Sequence, residues 1–548
     1  MRNKIKNSQG KNLKLTDITF RQYMALTLIF SKLDLENKCP TKGELKKIIG
    51  MHTDRMLEIT LKALEKKGLI RFNGLNNEPV VEILEENKAL LRTLADRLML
   101  VEDFISYKEI KGLQKTTDSP NSSLKLGVQA YLDYPRNNLR ELNDSKMIVH
   151  RWYSYLEDFP PSLVSDKLDC YGIKSGKVVL DPFVGSGTTV VTSKLAGVSA
   201  IGIDINPVAS YVTQVKTEWT EGNDWKIDLT EVQKQFSLVL NDFSSVSEYL
   251  QKYRLKTDFI EKMPFMELNQ WLKTKTQNEV TYLSERIREV EDDYIKRLLM
   301  VGLLGAAVES SNVAFCPGTS FYPFRKRPLF SEIFSSKLAA IYEDLLLLRQ
   351  AKAEYGDVAV FNKDCREMSE YVDGCVDFIF TSPPYPNDLE YTRQTRLELF
   401  LLGYVKNIDD VREIKKKMVK GSTKLIFKES NSAQYVEKFE SVQKVANAVE
   451  EALSDRRWGW DYPRMIREYF GDMYLSLEAF KEILRQGSYA LLVVGDQTYK
   501  QIVIPVGQIL VELATDLRYE AADLEFLRIR RSTTHKIPLK EEIVILRR

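Results

Sequence analysis

Apolar residues recur at helical spacing from Thr16 to Leu33 (Phe20, Tyr23, Met24, Leu26, Leu28, Ile29, Leu33). The same period predicts helices over Lys42–Ile49, capped by Thr41, and over Thr53–Lys67, which stops at Gly68. The pattern then shortens to extended runs: Leu69–Phe72, a polar turn at 73–77, and Val80–Ile83 read as a hairpin. Three helices and a hairpin predict a winged helix-turn-helix. Another helical stretch covers Glu85–Lys108, and the polar segment Lys115–Ser123 predicts a linker.

Beyond the linker, strand-like runs return at Lys177–Leu180, Ala200–Ile203, Val358–Phe361, Val376–Phe380 and Tyr489–Val494. Residues 211–350 carry mostly amphipathic helical pattern, as in Tyr282–Leu304 and Phe330–Arg349. Strands alternating with helices predict an α/β fold, a doubly wound Rossmann-like sheet with a helical insertion. Domain bounds follow: 1–110 for the winged helix and its following helix, 111–125 for the linker, and 126–548 for the α/β domain, with the insertion at about 211–350.

Composition narrows the picture without naming a chemistry. A chain of 548 residues exceeds one ordinary core, and 44% hydrophobic with 28% charged residues is globular rather than disordered. Five scattered cysteines and three histidines, without CxxC spacing, predict neither a disulfide framework nor a zinc site. No apolar run is long enough to span a bilayer and the first residues lack a signal-type hydrophobic stretch, so a cytoplasmic location is expected. Net charge is only +2, so any nucleic-acid partner must be argued from local patches. In the third predicted helix Arg55, Lys62, Lys66 and Lys67 could face a duplex, but Glu58 and Glu65 interrupt them. Use of this domain for protein contact is the alternative.

The first chemical motif is Val179–Thr189, Val-Leu-Asp-Pro-Phe-Val-Gly-Ser-Gly-Thr-Thr. It places Gly185, Ser186 and Gly187 at the first strand-to-helix turn, where doubly wound folds bind nucleotides. Glycine lets the backbone approach a ligand, and the following helix offers N–H groups to a carboxylate, with Thr188 and Thr189 adding hydroxyls. Asp204, ending the next strand, is placed to accept from both hydroxyls of a ribose. Asp181–Phe183 beforehand, with no Lys-Ser/Thr afterwards, argues against a phosphate loop.

This motif resembles that of the S-adenosylmethionine-dependent amino methyltransferases of DNA, the cytosine-N4 and adenine-N6 family. The resemblance implies that Asp181, Phe183, Gly185 and Gly187 line the methionine and sulfonium end and that Asp204 holds the ribose. It also implies that the segment from His150 to Phe159 closes over the methionine, although Phe159 reads equally as core. Asp364 and Cys365, after Val358–Phe361, match the position of the adenine-contacting acid in such folds; an ordinary turn acid is the competing account.

The second motif is Ser382-Pro383-Pro384-Tyr385, behind the apolar run Val376–Phe380. An exocyclic base amine is a weak nucleophile because its lone pair is delocalised, so it must be held in line with a methyl donor. Prolines remove backbone donors and stiffen the loop, leaving the Ser382 and Pro383 carbonyls to accept the amine hydrogens. Tyr385 would stack on the base, which must first be flipped from the duplex. A bare Pro-Pro-Tyr would be a turn ending a strand.

Serine at the first position resembles cytosine-N4 enzymes more than adenine-N6 enzymes, where Asp is usual. The expected activity is therefore N4-methylation of cytosine in double-stranded DNA, within a restriction-modification or defence system with a partner nuclease. The alternatives are adenine-N6 methylation, RNA guanine-N2 methylation, and a DNA-binding regulator that senses the donor.

Phosphate contacts are expected from Arg393, Arg396 and the run Lys415, Lys416, Lys417, Lys420, Lys424 and Lys428, with a plain solvated face as the alternative. Target recognition is expected from the insertion, including Ser320–Arg327, which reads equally as an aromatic core edge. The likeness spans roughly residues 130–548, with strong motifs at 179–206 and 377–385. The order of the two motifs and the long insertion depart from the family's usual circular arrangements, which leaves the recognition segment unassigned.

Overall fold

The computed structural model describes residues 5–6, 12–13, 54–66, 70–73 and 81–83, and everything from 148 onward except 155–158, 222–223, 253–270, 315–319, 323–326, 352, 373–375, 455–460 and 533–535. The chain divides into two compact units, Met1–Lys115 and Thr116–Arg548.

In the first unit a helix, Asp54–Lys66, buries Leu57, Leu61 and Leu64, one stripe at helical spacing. An antiparallel hairpin follows, pairing Ile70–Phe72 with Val81–Ile83. The Phe72 N–H donates to Glu65 Oε1 at 2.9 Å, which ties hairpin to helix. Glu65 thus has an intramolecular role, and Glu58 pairs with Lys62 at 2.7 Å. The helices expected at Thr16–Leu33, Lys42–Ile49 and Glu85–Lys108, and the linker, lie outside the described residues. The winged helix-turn-helix therefore stands as an expectation from sequence.

The second unit is built on a seven-stranded sheet. Its strands are β1 (Val178–Asp181), β2 (Ser199–Ile203), β3 (Val358–Phe361), β4 (Val376–Thr381), β5 (Leu484–Gly495), β6 (Ala521–Arg531) and β7 (Pro538–Arg547). Their spatial order is β3-β2-β1-β4-β5-β7-β6. β1 to β5 pair in parallel, and β7 runs against both β5 and β6. β6 and β7 form a closing antiparallel hairpin.

β4 is buried at every position, as a central parallel strand covered on both faces must be. Alternation splits its side chains. Ile379 joins Leu180, Leu492 and Val494 on one face, under helices Glu440–Leu453, Tyr462–Ile483 and Val506–Asp516. Phe378 and Phe380 join Val179, Leu491 and Val493 on the other, with Val164 and Val190 from helices α1 (Pro161–Cys170) and α2 (Thr188–Leu195). Burying each of these phenylalanines stabilises the sheet by about 1.5–3 kcal/mol.

After α3 (Pro207–Thr217) the chain leaves the sheet and returns at β3. Among the described residues the intervening helices are α4 (Leu229–Lys252), α5 (Thr274–Arg288), α6 (Asp293–Ser310) and α7 (Phe330–Ala351). The stretch Tyr282–Leu304, expected as one amphipathic pattern, is broken between α5 and α6. The Asp292 side chain accepts the Ile295 N–H at 2.8 Å and starts a new helix there, so a cap overrides the periodicity.

Order reverses between β1 and β4: the chain steps from β1 to β2 and β3 on one side, and from β4 to β5 on the other. The loops leaving these two strands open the crevice where doubly wound sheets bind ligands.

Candidate active site

Neighbouring strand ends bring the two sequence motifs together. Ile379 of β4 pairs with Leu180 of β1, so Asp181 and Thr381 end side by side. The Thr381 hydroxyl donates to Asp181 Oδ1 at 2.6 Å, and the same oxygen accepts the Phe183 N–H at 3.1 Å. Asp181 is 1% exposed. Burial raises its pKa to about 6, opposed by hydrogen bonds from Thr381, Thr189 and Phe183 and reinforced by the charge of Asp204. Its position is that of a clasp between strands, behind the cleft wall.

The loop after β1 is held from α3. Thr213 donates to the Gly185 carbonyl at 3.0 Å, and the buried Lys216 ammonium donates to the Ser186 carbonyl at 3.0 Å. Gly187 has φ of 92° and starts α2, and a Cβ there would lie 2.9 Å from Thr213 Oγ1. A side chain at 187 is therefore excluded twice, by conformation and by contact. The N-cap of α2 is Gly187, so no N-cap side chain bonds the first turn of the helix. Asp204 faces the same loop: its Oδ2 accepts the Gly185 N–H at 3.0 Å and its Oδ1 the Asn206 N–H at 2.8 Å. Burial raises its pKa to about 6 against those two hydrogen bonds.

Asp364 follows β3 and lines the cleft. Arg366 fixes it through Nε to Oδ1 at 2.9 Å and a second nitrogen to Oδ2 at 2.6 Å, and also reaches the buried Asp472 and the Lys417 carbonyl. Cys365 is buried and its thiol is pushed up by desolvation, so it offers a wall rather than a nucleophile. Phe159 lines the cleft and also meets Phe380 edge-on at 5.3 Å, so it is at once wall and core.

The loop after β4 leans on β5. Ser382 Oγ and the Tyr385 hydroxyl both donate to the Val493 carbonyl, at 3.1 and 3.4 Å. The Arg530 guanidinium, from β6, sits 5.5 Å from the Tyr385 ring centre.

Phe183, Gly185, Thr188, Asp204, Asp364, Cys365 and Phe159 share one cleft with Ser382, Pro383, Pro384 and Tyr385. Asp181, Ser186, Gly187 and Thr189 do not line it. They are buried behind it and shape the loop, Thr189 by donating to the Phe380 carbonyl at 3.3 Å.

Asn206, Lys363, Tyr391 and Lys417–Val419 line the cleft without having been singled out for it. Asn206 could have been found: Asn before Pro after a strand signals a cap, and its side chain accepts the Val208 N–H at 3.2 Å while its amide reaches Thr395. For Lys417–Val419 the basic run pointed elsewhere.

That run is corrected by the structure. Lys415 pairs with the buried Glu390 at 2.8 Å, Lys416 with Glu413 at 2.7 Å, and Lys420 is buried with its ammonium on the Lys416 and Met418 carbonyls. Only Lys417, Lys424 and Lys428 of the six remain as exposed residues without a carboxylate partner. Arg396 likewise turns inward, onto Glu390 and the Thr392 carbonyl. In the insertion, Phe321 packs edge-on against Trp271 at 5.5 Å, which supports the core-edge reading of that residue.

A doubly wound sheet with a glycine loop after its first strand and a Ser-Pro-Pro-Tyr loop after its fourth fits a Rossmann-like methyltransferase. Comparison with known proteins is in accord. The N6/N4 family of DNA methylases matches residues 103–216, which hold the first motif and Asp204. The type II methyltransferase M.BsoBI of Geobacillus stearothermophilus is 25% identical over 449 residues, 73% of this chain and 84% of that protein. The type II methyltransferase M.AvaI of Nostoc is 26% identical over 396 residues, 68% and 79% of the two chains. M.MvaI of Kocuria varians, also a type II methyltransferase, is 24% identical over 406 residues, 70% and 83%. These matches support an amino-methyltransferase of the N4/N6 family.

Proposed function

We propose that the chain transfers a methyl group from S-adenosylmethionine to the N4 amine of cytosine in double-stranded DNA, as the modification arm of a restriction or defence system. The observation that carries this reading is the shared cleft: the glycine loop after β1 and Ser382–Tyr385 after β4 line one crevice at the point where strand order reverses.

The residues fit the donor. Carboxylates end β2 and β3, matching a ribose diol and an adenine amine, and the uncapped α2 matches a carboxylate. Asp204 would accept the ribose hydroxyls, Asp364 the adenine amine, and Phe183 and Phe159 would exclude water from the methionine end. The bound donor supplies an electrophilic methyl carbon on a positive sulfonium.

Catalysis by the chain itself is alignment. The Ser382 and Pro383 carbonyls would accept the two amine hydrogens and hold the nitrogen lone pair in line with the methyl carbon while Tyr385 stacks on the flipped base; as the new N–C bond forms the C–S bond breaks to a neutral thioether, and the methylated amine loses one proton to water. Ser382 in place of an aspartate favours cytosine, because serine at this position resembles the cytosine-N4 enzymes more than the adenine-N6 ones.

Incubation with labelled donor and DNA, followed by digestion to nucleosides, tests the reading. N4-methylcytosine is the expected product. N6-methyladenine would transfer the same chemistry to the other base, and absence of label from DNA of every sequence tried would overturn the proposal. Tyr385→Ala should lower turnover by about 10–100-fold, the size of one lost base-stacking contact, with donor binding retained.

A further inference from the structure

The residue that follows the Ser-Pro-Pro-Tyr loop in an unusual backbone state is Asp388. Its φ is +62°, a left-handed conformation uncommon outside glycine and tolerated best by Asn and Asp. The chain reverses there: the Asn387 N–H donates to the Tyr385 carbonyl at 2.8 Å, and the Leu389 N–H to Asn387 Oδ1 at 3.0 Å. Something must hold this turn closed.

The Asp388 carboxylate has four donors. Its Oδ1 accepts the Ser422 hydroxyl at 2.9 Å, the Thr423 N–H at 2.9 Å and the Thr423 hydroxyl at 2.8 Å, and its Oδ2 accepts the Tyr462 hydroxyl at 3.0 Å. Its own N–H donates to the Gly421 carbonyl at 3.0 Å. Gly421 fits flush against the loop, since a Cβ there would stand 2.6 Å from the Tyr385 carbonyl oxygen. Just upstream, Met418 and Val419 line the same cleft as Ser382–Tyr385. One short strap, 418–423, thus forms cleft wall at one end and grips Asp388 at the other.

We propose that Asp388 is a positioning residue: by locking the turn after Tyr385 onto the strap at 421–423, it fixes the Ser382 and Pro383 carbonyls and the Tyr385 ring relative to the donor side of the cleft. Asp388 does not line the cleft and has no part in the chemistry itself. The inference rests on the reading of Ser382–Tyr385 as the amine-holding loop.

Three variants test it: Asp388→Ala, Asp388→Asn, and the double variant Thr423→Val with Tyr462→Phe, which strips donors while leaving the aspartate. Asp388→Ala is expected to lower kcat by about 100-fold, the scale of a misplacement of roughly 1 Å at the reacting atoms, with the donor dissociation constant held within about twofold. Asp388→Asn keeps the left-handed preference and one acceptor oxygen, and should recover about tenfold of that loss. Hydrogen exchange should speed up at the amides of 387–389 in Asp388→Ala and in the double variant, with 178–204 unchanged.

Wild-type turnover on DNA with equal turnover in Asp388→Ala would overturn the positioning role alone. Parallel loss of donor binding, melting temperature and kcat in both the alanine and the double variant would do so too, because that is the behaviour of a merely structural residue. A wild-type protein that labels no DNA would overturn the reading beneath it, while unchanged exchange at 387–389 would still count against the latch independently.

Discussion

The loop after β1 is fastened by residues close to it in the chain, and the loop after β4 by residues far away. Gly185 and Ser186 are held by Asp204, Thr213 and Lys216, at separations of 19, 28 and 30 positions. Asp388, Ser382 and Pro386 are held by Ser422, Tyr462, Val493 and Tyr499, at separations of 34, 74, 111 and 113. The glycine loop and Asp204 lie within one β-α-β-α stretch, while Asp364 and the Thr381 clasp on Asp181 join the donor side from farther along the chain. The amine side is assembled from four segments and can be retuned from any of them. Substitutions on the two sides should therefore separate: donor affinity for the first, turnover with donor affinity intact for the second.

The sharpest way to break this contrast is Asp204→Ala. The carboxylate accepts the backbone N–H groups of Gly185 and Asn206, and removing it leaves both without acceptor at the mouth of the donor loop. Hydrogen bonds to a charged group are worth about 1.5–3 kcal/mol each, so donor affinity should fall by about 100-fold, read by calorimetry. If instead kcat on DNA collapsed while the donor bound as before, the two sides would not be separable.

Asp204 also makes a test by pH. Burial raises it and the adjoining Asp181 to about 6. Ribose hydroxyls donating to Asp204 favour the ionised form, so donor affinity should strengthen as pH rises through about 6 and level off above about 7. At pH 5 a group with that pKa is mostly protonated, which weakens binding by about tenfold, and Asp204→Asn should flatten the curve. Folding stability runs the opposite way. Between about pH 4 and 6 the folded chain keeps protons that the unfolded chain has released, so this pair's contribution to stability falls as pH rises across that window. The profile belongs in the donor dissociation constant; finding it only in kcat at saturating donor would place the titration on the amine side.

Locality also explains what could be read in advance. The strands and the glycine loop are written in contiguous runs such as Val178–Asp181 and Val376–Thr381, where burial on both faces leaves a continuous apolar string. The tight turn at Gly187 and the acid ending β2 follow from short-range geometry. The partners of that turn do not: Thr213 and Lys216 are ordinary residues on an amphipathic helix until the fold sets them on the loop carbonyls. Part of the lysine run was illegible for the same reason, since Glu390 and Asp472, which draw Lys415 and Lys420 inward, lie far along the chain. Asp388 carried no signal at all, because its left-handed backbone and its four donors exist only once residues 388, 422, 423 and 462 have met.

The smallest expected effect is the most specific to the amine side. Tyr499, in the hairpin after β5, donates its hydroxyl to the Pro386 carbonyl at 2.8 Å while its ring packs at 4.4 Å against Tyr462, the residue that also grips Asp388. Tyr499→Phe keeps the ring contact and removes one hydrogen bond, leaving the carbonyl of the buried Pro386 without that donor. The loss should be about 0.5–1.5 kcal/mol, or roughly two- to tenfold in kcat, with donor affinity untouched. Combined with Asp388→Ala the two losses should multiply to less than their product, because Pro386 and Asp388 flank the same turn and the second substitution acts on a loop the first has already released. Full independence of the two would mean that the loop is held at separate points rather than by one connected brace.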